Sequence, residues 1–122
     1  MTNAEFNDMF RNRTQAFAVN VLHFLADVPF NTSTKILSNQ LGRSATSVGA
    51  NFRAFCRGRS KREKFAKICI VVEEADECIY WTDLFSQTGF GDQAKLKLLC
   101  NEALEILKVT AKIKSSLSPD RG

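Results

Sequence analysis

Leu96-Lys97-Leu98-Leu99-Cys100-Asn101-Glu102-Ala103-Leu104-Glu105-Ile106-Leu107-Lys108-Val109-Thr110 is the stretch on which the fold turns. Leu96, Leu99, Ala103, Ile106 and Thr110, continued by Ile113 and Leu117, recur in alternating steps of three and four, a heptad-like helical seam. Cys100, Leu104, Leu107 and Ala111 form a second stripe beside it, which predicts a helix that touches neighbours on two sides. Asp92 offers an N-cap, and Thr88-Gly89-Phe90-Gly91 stops whatever precedes it. Upstream, Phe65, Ile68, Val72, Ala75, Ile79, Trp81, Leu84 and Phe85 predict a helix from about Lys61 to Gln87, with Val71 and Cys78 beside that stripe. Ser60 with Glu63 reads as a capping box at its start.

A second helix is predicted from about Thr34 to Gly58, capped by Thr32 or Ser33, with Ile36, Leu37, Leu41, Val48, Phe52 and Phe55 as its apolar positions. Its middle, Ser44 to Ala50, consists mostly of small residues. Gly49 costs about 1 kcal/mol relative to Ala there, offset if a neighbouring helix approaches closely. The hydroxyls of Ser44 and Ser47 are expected to bond back to the helix or to a neighbour. The first helix runs from about Asn3 to Asp27 on Phe6, Met9, Phe10, Phe17, Val21, Phe24 and Leu25, and ends at Val28-Pro29. Four helices joined by short turns favour antiparallel neighbours, so the expected fold is all-α, an antiparallel up-down four-helix bundle. Residues 1–117 are expected to form one domain and 118–122 a flexible C-terminal tail. No apolar run reaches the roughly 20 residues of a membrane span, and the charged first helix predicts no signal peptide. The expected location is the cytoplasm.

Composition narrows the chemistry. The 122 residues carry 17 Lys+Arg and 13 Asp+Glu, a net charge of +4. The charge is uneven: Arg43, Arg53, Arg57, Arg59, Lys61, Arg62, Lys64 and Lys67 face only Glu63 over that span, giving +7 and leaving −3 for the rest. This block straddles the second turn and is expected to form one basic end, suited to phosphate backbones. Phe52, Phe55 and Phe65 interleave with it. They fit either base stacking or the buried stripes, and the buried stripes fit them better.

Acids gather on the third helix, where Glu73, Asp76, Glu77 and Tyr80 share one face. Antiparallel register places Arg43 level with Asp76 and Glu77, so structural ion pairing among Arg43, Glu73, Asp76 and Glu77 is expected. The four cysteines have no Cys-x-x-Cys pair, and His23 is the sole histidine, so no metal site and no cofactor are expected; reduced, buried thiols are. A di-iron bundle would need paired Glu-x-x-His motifs. Gly-x-Ser-x-Gly and phosphate-cradling glycine loops are also missing, so the sequence reads as non-enzymatic.

Three segments carry a family resemblance: Gln40-Leu41-Gly42-Arg43-Ser44-Ala45-Thr46-Ser47-Val48-Gly49-Ala50-Asn51-Phe52-Arg53, then Arg59-Ser60-Lys61-Arg62-Glu63-Lys64-Phe65, and Glu73-Glu74-Ala75-Asp76-Glu77-Cys78-Ile79-Tyr80-Trp81. In this order they resemble the bacterial four-helix-bundle proteins encoded by 23S ribosomal RNA intervening sequences, the S23-like family. The likeness runs from Phe6 to about Lys114. Val28-Pro29 stands where the family usually has Leu-Pro, and Gly42 where it usually has Leu. The resemblance implies antiparallel bundles assembled as homopentamers around a central channel, without enzymatic activity. Relatives of similar fold are accessory proteins of diversity-generating retroelement reverse transcriptases, binding nucleic acid and the polymerase through a basic surface. The matching positions here are Arg53, Arg57, Arg59, Lys61, Arg62 and Lys64. The resulting expectation is a homo-oligomer that binds nucleic acid, structured RNA ahead of DNA, with no membrane partner. The alternative is a scaffold whose basic end docks an acidic protein such as a reverse transcriptase.

Overall fold

A computed structural model describes residues 1–119, in which four helices follow one another: α1 (Asn3–Ala26), α2 (Thr32–Cys56), α3 (Lys61–Thr88) and α4 (Gln93–Leu117). The last three residues of the expected 118–122 tail lie outside the described residues. Each helix packs against the next in sequence, and α1 returns to α4, so the four close an antiparallel ring around one core. The α2–α3 and α3–α4 contacts are the most extensive, and α1–α4 the least.

Each helix begins where a side chain answers its free N–H groups. Thr2 accepts from the Glu5 N–H and its own N–H donates to the Glu5 carboxylate, a complete capping box. The cap of α2 is Asn31, not Thr32 or Ser33. Its side-chain oxygen accepts from the Thr34 N–H at 2.9 Å, and the Asn31 N–H donates to the Thr34 hydroxyl at 2.8 Å. That reciprocal pair starts the helix at Thr32, two residues ahead of the expected start. At α3, Ser60 accepts from the Glu63 N–H at 3.0 Å, but the Glu63 carboxylate accepts from the Arg59 N–H rather than from Ser60. Only half of the expected box is made. Asp92 accepts from the Ala94 and Lys95 N–H groups.

The buried rows differ from the expected stripes in detail. On α3 the centre of the row is Ile68, Val71, Ala75, Cys78, Thr82 and Phe85, so Val71 and Cys78 occupy the middle and Val72 and Ile79 the flanks. The α4 seam of Leu96, Leu99, Ala103, Ile106 and Thr110 is buried. Met9 and Ile36, expected in stripes, are exposed, because Phe10 and Leu37 beside them take the inward positions. The buried threonines satisfy their hydroxyls on their own helix, Thr110 on Ile106 O at 2.7 Å and Thr14 on Arg11 O at 3.0 Å. Ser44 does not: its hydroxyl is buried without a partner among the described residues, as is Trp81 Nε1.

The small-residue run packs against α1. A Cβ placed on Gly49 would lie 3.5 Å from the Thr14 carbonyl oxygen, so the α1 backbone itself runs past this position. Gly91 is required twice over. Its φ is +81°, and a Cβ there would sit 2.7 Å from Phe24 Cζ, whose ring stands edge-on to Phe85. Across the α1–α4 seam, Arg13 donates to both carboxylate oxygens of Glu102, at 2.8 and 2.7 Å, a bidentate pair, and its guanidinium lies 5.6 Å from the centre of the Phe10 ring.

Candidate nucleic-acid interface

The turn between α2 and α3 sets the basic end. Arg53 projects outward from the last turn of α2, Arg57 is its C-cap residue, and Arg59 follows in the turn. Lys61 and Arg62 open α3 and are exposed. Arg53, Arg57, Lys61 and Arg62 have no ion pair among the described residues, and Arg59 has one loose partner, Glu63 at 3.7 Å. Lys64 is different. It is half-buried, with its ammonium 5.3 Å from the centre of the Phe55 ring, so its charge is engaged with an aromatic face.

The interleaved aromatics belong to the core. Phe52 is 0% exposed and Phe55 5%, and the two rings lie 5.3 Å apart, with Phe10 5.1 Å from Phe52 on the other side. Phe65 keeps a partly open edge in a hollow of about 530 Å³ shared with Lys61, Arg62, Leu117 and Pro119. One basic residue outside the expected block joins the surface: Arg11, on α1, lines a shallow groove with Arg53. Sequence distance hides it, since 42 positions separate two side chains that the packing of α1 on Gly49 brings to the same cleft.

The acidic face divides. Arg43 donates to Glu77 at 3.2 Å and to Glu74 at 3.0 Å, bridging α2 and α3. Glu74, not expected as a partner, is the buried one, and Arg43 gives its charge a counterion. Glu73 and Asp76 are exposed and make no ion pair among the described residues. The hydrogen-bonded Glu74 carboxyl holds the Glu77 carboxyl above the ordinary glutamate range. Burial and Glu74's charge add to this, and Arg43 opposes it. A raised carboxyl pKa favours the folded state below the unfolded value. That contribution is lost as pH rises through the folded value. Glu77→Gln is therefore expected to flatten the stability profile in the window just above the unfolded glutamate range. Urea midpoints of wild type and variant that keep a constant difference across that window would refute it.

Of the four thiols expected to be buried, Cys78 is, whereas Cys56, Cys69 and Cys100 are half-buried at the edges of their helices' inward faces. Burial pushes Cys78 up to about 12, with Glu74 and Glu77 adding, and burial raises Cys56 as well. No three His, Cys, Asp or Glu residues gather at metal-binding distance among the described residues. No described helix is long and apolar enough to cross a membrane.

Comparison with known proteins adds a lineage to this geometry. No curated protein matches the chain. A solved structure of a protein of unknown function from the S23 ribosomal protein family, from Bacteroides thetaiotaomicron VPI-5482, superposes with a TM-score of 0.77 at 27% identity. The match covers 89% of this chain and 97% of that one. The model of the 23S rRNA-intervening sequence protein family matches residues 9–112, from the first turns of α1 almost to the end of α4. With the whole bundle and the small-residue run on α2 inside that match, the chain belongs to the 23S rRNA-intervening sequence protein family.

Proposed function

We propose that this chain is a non-catalytic, cytoplasmic nucleic-acid-binding protein that assembles as a homopentamer and takes structured RNA at its basic end. The observation that carries the reading is the cluster of Arg53, Arg57, Lys61 and Arg62, all exposed at one end of the bundle and without ion pairs among the described residues. Such charges gain more from displacing counterions on a phosphate backbone than from neighbours they do not have. Apolar side chains left in solvent at the opposite end support self-assembly: Phe30 is 84% exposed and Ile36 57%, with Leu22 and Leu98 near them in height along the bundle. A ring would repeat the basic end once per subunit and strengthen its field.

The test is binding to a structured RNA across a salt series, with the subunit count taken from sedimentation of the same sample. Wild-type log K is expected to fall by about 0.7–0.9 per log unit of salt for each phosphate neutralised. A variant with Arg57→Glu, Arg59→Glu, Lys61→Glu and Arg62→Glu together is expected to bind at least about 100-fold more weakly, with a shallower slope. Absence of wild-type binding near physiological salt would overturn the reading and leave the basic end as a dock for an acidic protein partner.

A further inference from the structure

We infer, resting on the nucleic-acid reading above, that the ligand is a duplex held through its phosphate backbone and seated on the α1–α2 face across Arg11, Arg53 and Arg57. Two adjoining surfaces define the seat. Arg11, Gln15, Ala18, Thr46, Gly49, Ala50 and Arg53 line a shallow groove of about 170 Å³, and Ala50, Arg53, Ala54 and Arg57 line the surface beside it. They share Ala50 and Arg53, so they form one continuous strip.

The strip has cations along its edges and small residues over much of its floor. Ala18, Gly49, Ala50 and Ala54 present at most a methyl group, and Gln15 and Thr46 add uncharged polar side chains, so a stiff, wide ligand reaches the flanking guanidiniums without meeting a large apolar or acidic side chain in the groove. Arg53 and Arg57 are one helical turn apart, about 6 Å along the axis, so the two guanidiniums can meet separate phosphates. Arg11 rises from the other helix, so cations flank the strip from both α1 and α2. The partner of Arg11 is Asp8 at 3.4 Å, a solvent-exposed pair that a phosphate displaces readily.

The strip also lacks what a single strand needs. Flexible strands are held by bases stacked on aromatic faces. Phe52 and Phe55, the aromatics of this part of α2, are turned into the core against Phe10 and against each other. A single strand would lose its freedom here with no stacking in return, whereas a duplex arrives already ordered. Contacts from Arg11, Arg53 and Arg57 to phosphates position the duplex and carry no sequence information themselves.

The experiment compares one short RNA duplex, the DNA duplex of the same sequence and their separated strands, using wild type, Arg11→Glu, Ala50→Gln and Phe65→Ala. Expected are duplexes bound about tenfold or more tightly than either strand. Arg11→Glu should lower the salt slope on duplexes by about 1. Ala50→Gln, an uncharged change at an exposed position, should weaken duplex binding with an unchanged melting temperature. Single strands bound as tightly as duplexes would overturn the inference while leaving the basic-end reading in place. So would duplex binding indifferent to Arg11→Glu and Ala50→Gln, or a single-strand preference abolished by Phe65→Ala, which would move the site to the α3–α4 hollow. Failure of every probe to bind would remove the basic-end reading itself.

Discussion

Replacing Phe52 by alanine is expected to cost about 3–5 kcal/mol of stability and to leave the affinity of the protein that remains folded nearly unchanged. The ring is fully buried and makes an edge contact with Phe10 of α1 and a tilted one with Phe55. Truncation removes the ring's own burial and leaves a cavity that two helices border, and neither can close it without breaking the contacts of the other. Against a total of about 5–15 kcal/mol for a domain, the loss is large enough to read from urea midpoints. The opposite assignment, Phe52 as a platform for bases, makes the opposite forecast. Stability within about 1 kcal/mol of wild type combined with lost nucleic-acid binding would sink the core assignment.

Gly91→Ala is the second large effect. At φ +81° an L-residue pays about 1–2 kcal/mol for its backbone conformation alone. The added methyl would also lie 2.7 Å from Phe24 Cζ and 3.2 Å from Val28 Cγ2. Phe24 has little room to retreat, since it is buried with its ring 5.3 Å from Phe85. Forcing it costs about 1–3 kcal/mol more, so the total is about 2–5 kcal/mol. Gly89 supplies the control. Its φ is +74°, but a Cβ there meets nothing within 4 Å. Gly89→Ala should show the backbone cost alone. Equal unfolding midpoints for the two variants would mean that the Phe24 contact contributes nothing.

Helix number, order and approximate ends are legible in the sequence because they rest on periodicity and on punctuation by Pro29, Ser60, Gly89 and Asp92, all local signals. What escaped depends on contacts between helices. The inward row of α3 runs through Val71 and Cys78 because the helix packs between α2 and α4, and apolar residues on three of its sides leave that direction ambiguous in the sequence. Glu74 is buried with its charge met by Arg43, 31 positions earlier, across α2–α3. Antiparallel register alone points Arg43 at Asp76 and Glu77, and a carboxylate read in its own helix gives no sign that Glu74 is the inward one. The cap of α2 was misplaced because three consecutive residues, Asn31, Thr32 and Ser33, are all good caps, and only the reciprocal bond with Thr34 separates them. The basic block was visible as a run of charge, whereas Arg11 belongs to it only after α1 has docked.

Three of the four helix–helix joints are held by turns of a few residues, and only the meeting of α1 with α4 is not. Arg13 and Glu102, 89 residues apart, join the first helix to the last. Drawing such distant positions together from an open chain carries an entropy cost that grows with the logarithm of the loop. Once α2 and α3 have zipped from their turn, most of that loop is already consumed. The assembly order follows: hairpins first, with the clasp forming last, when its closure costs least. The same logic runs in reverse, so that joint is where the closed ring of helices most readily becomes an open row.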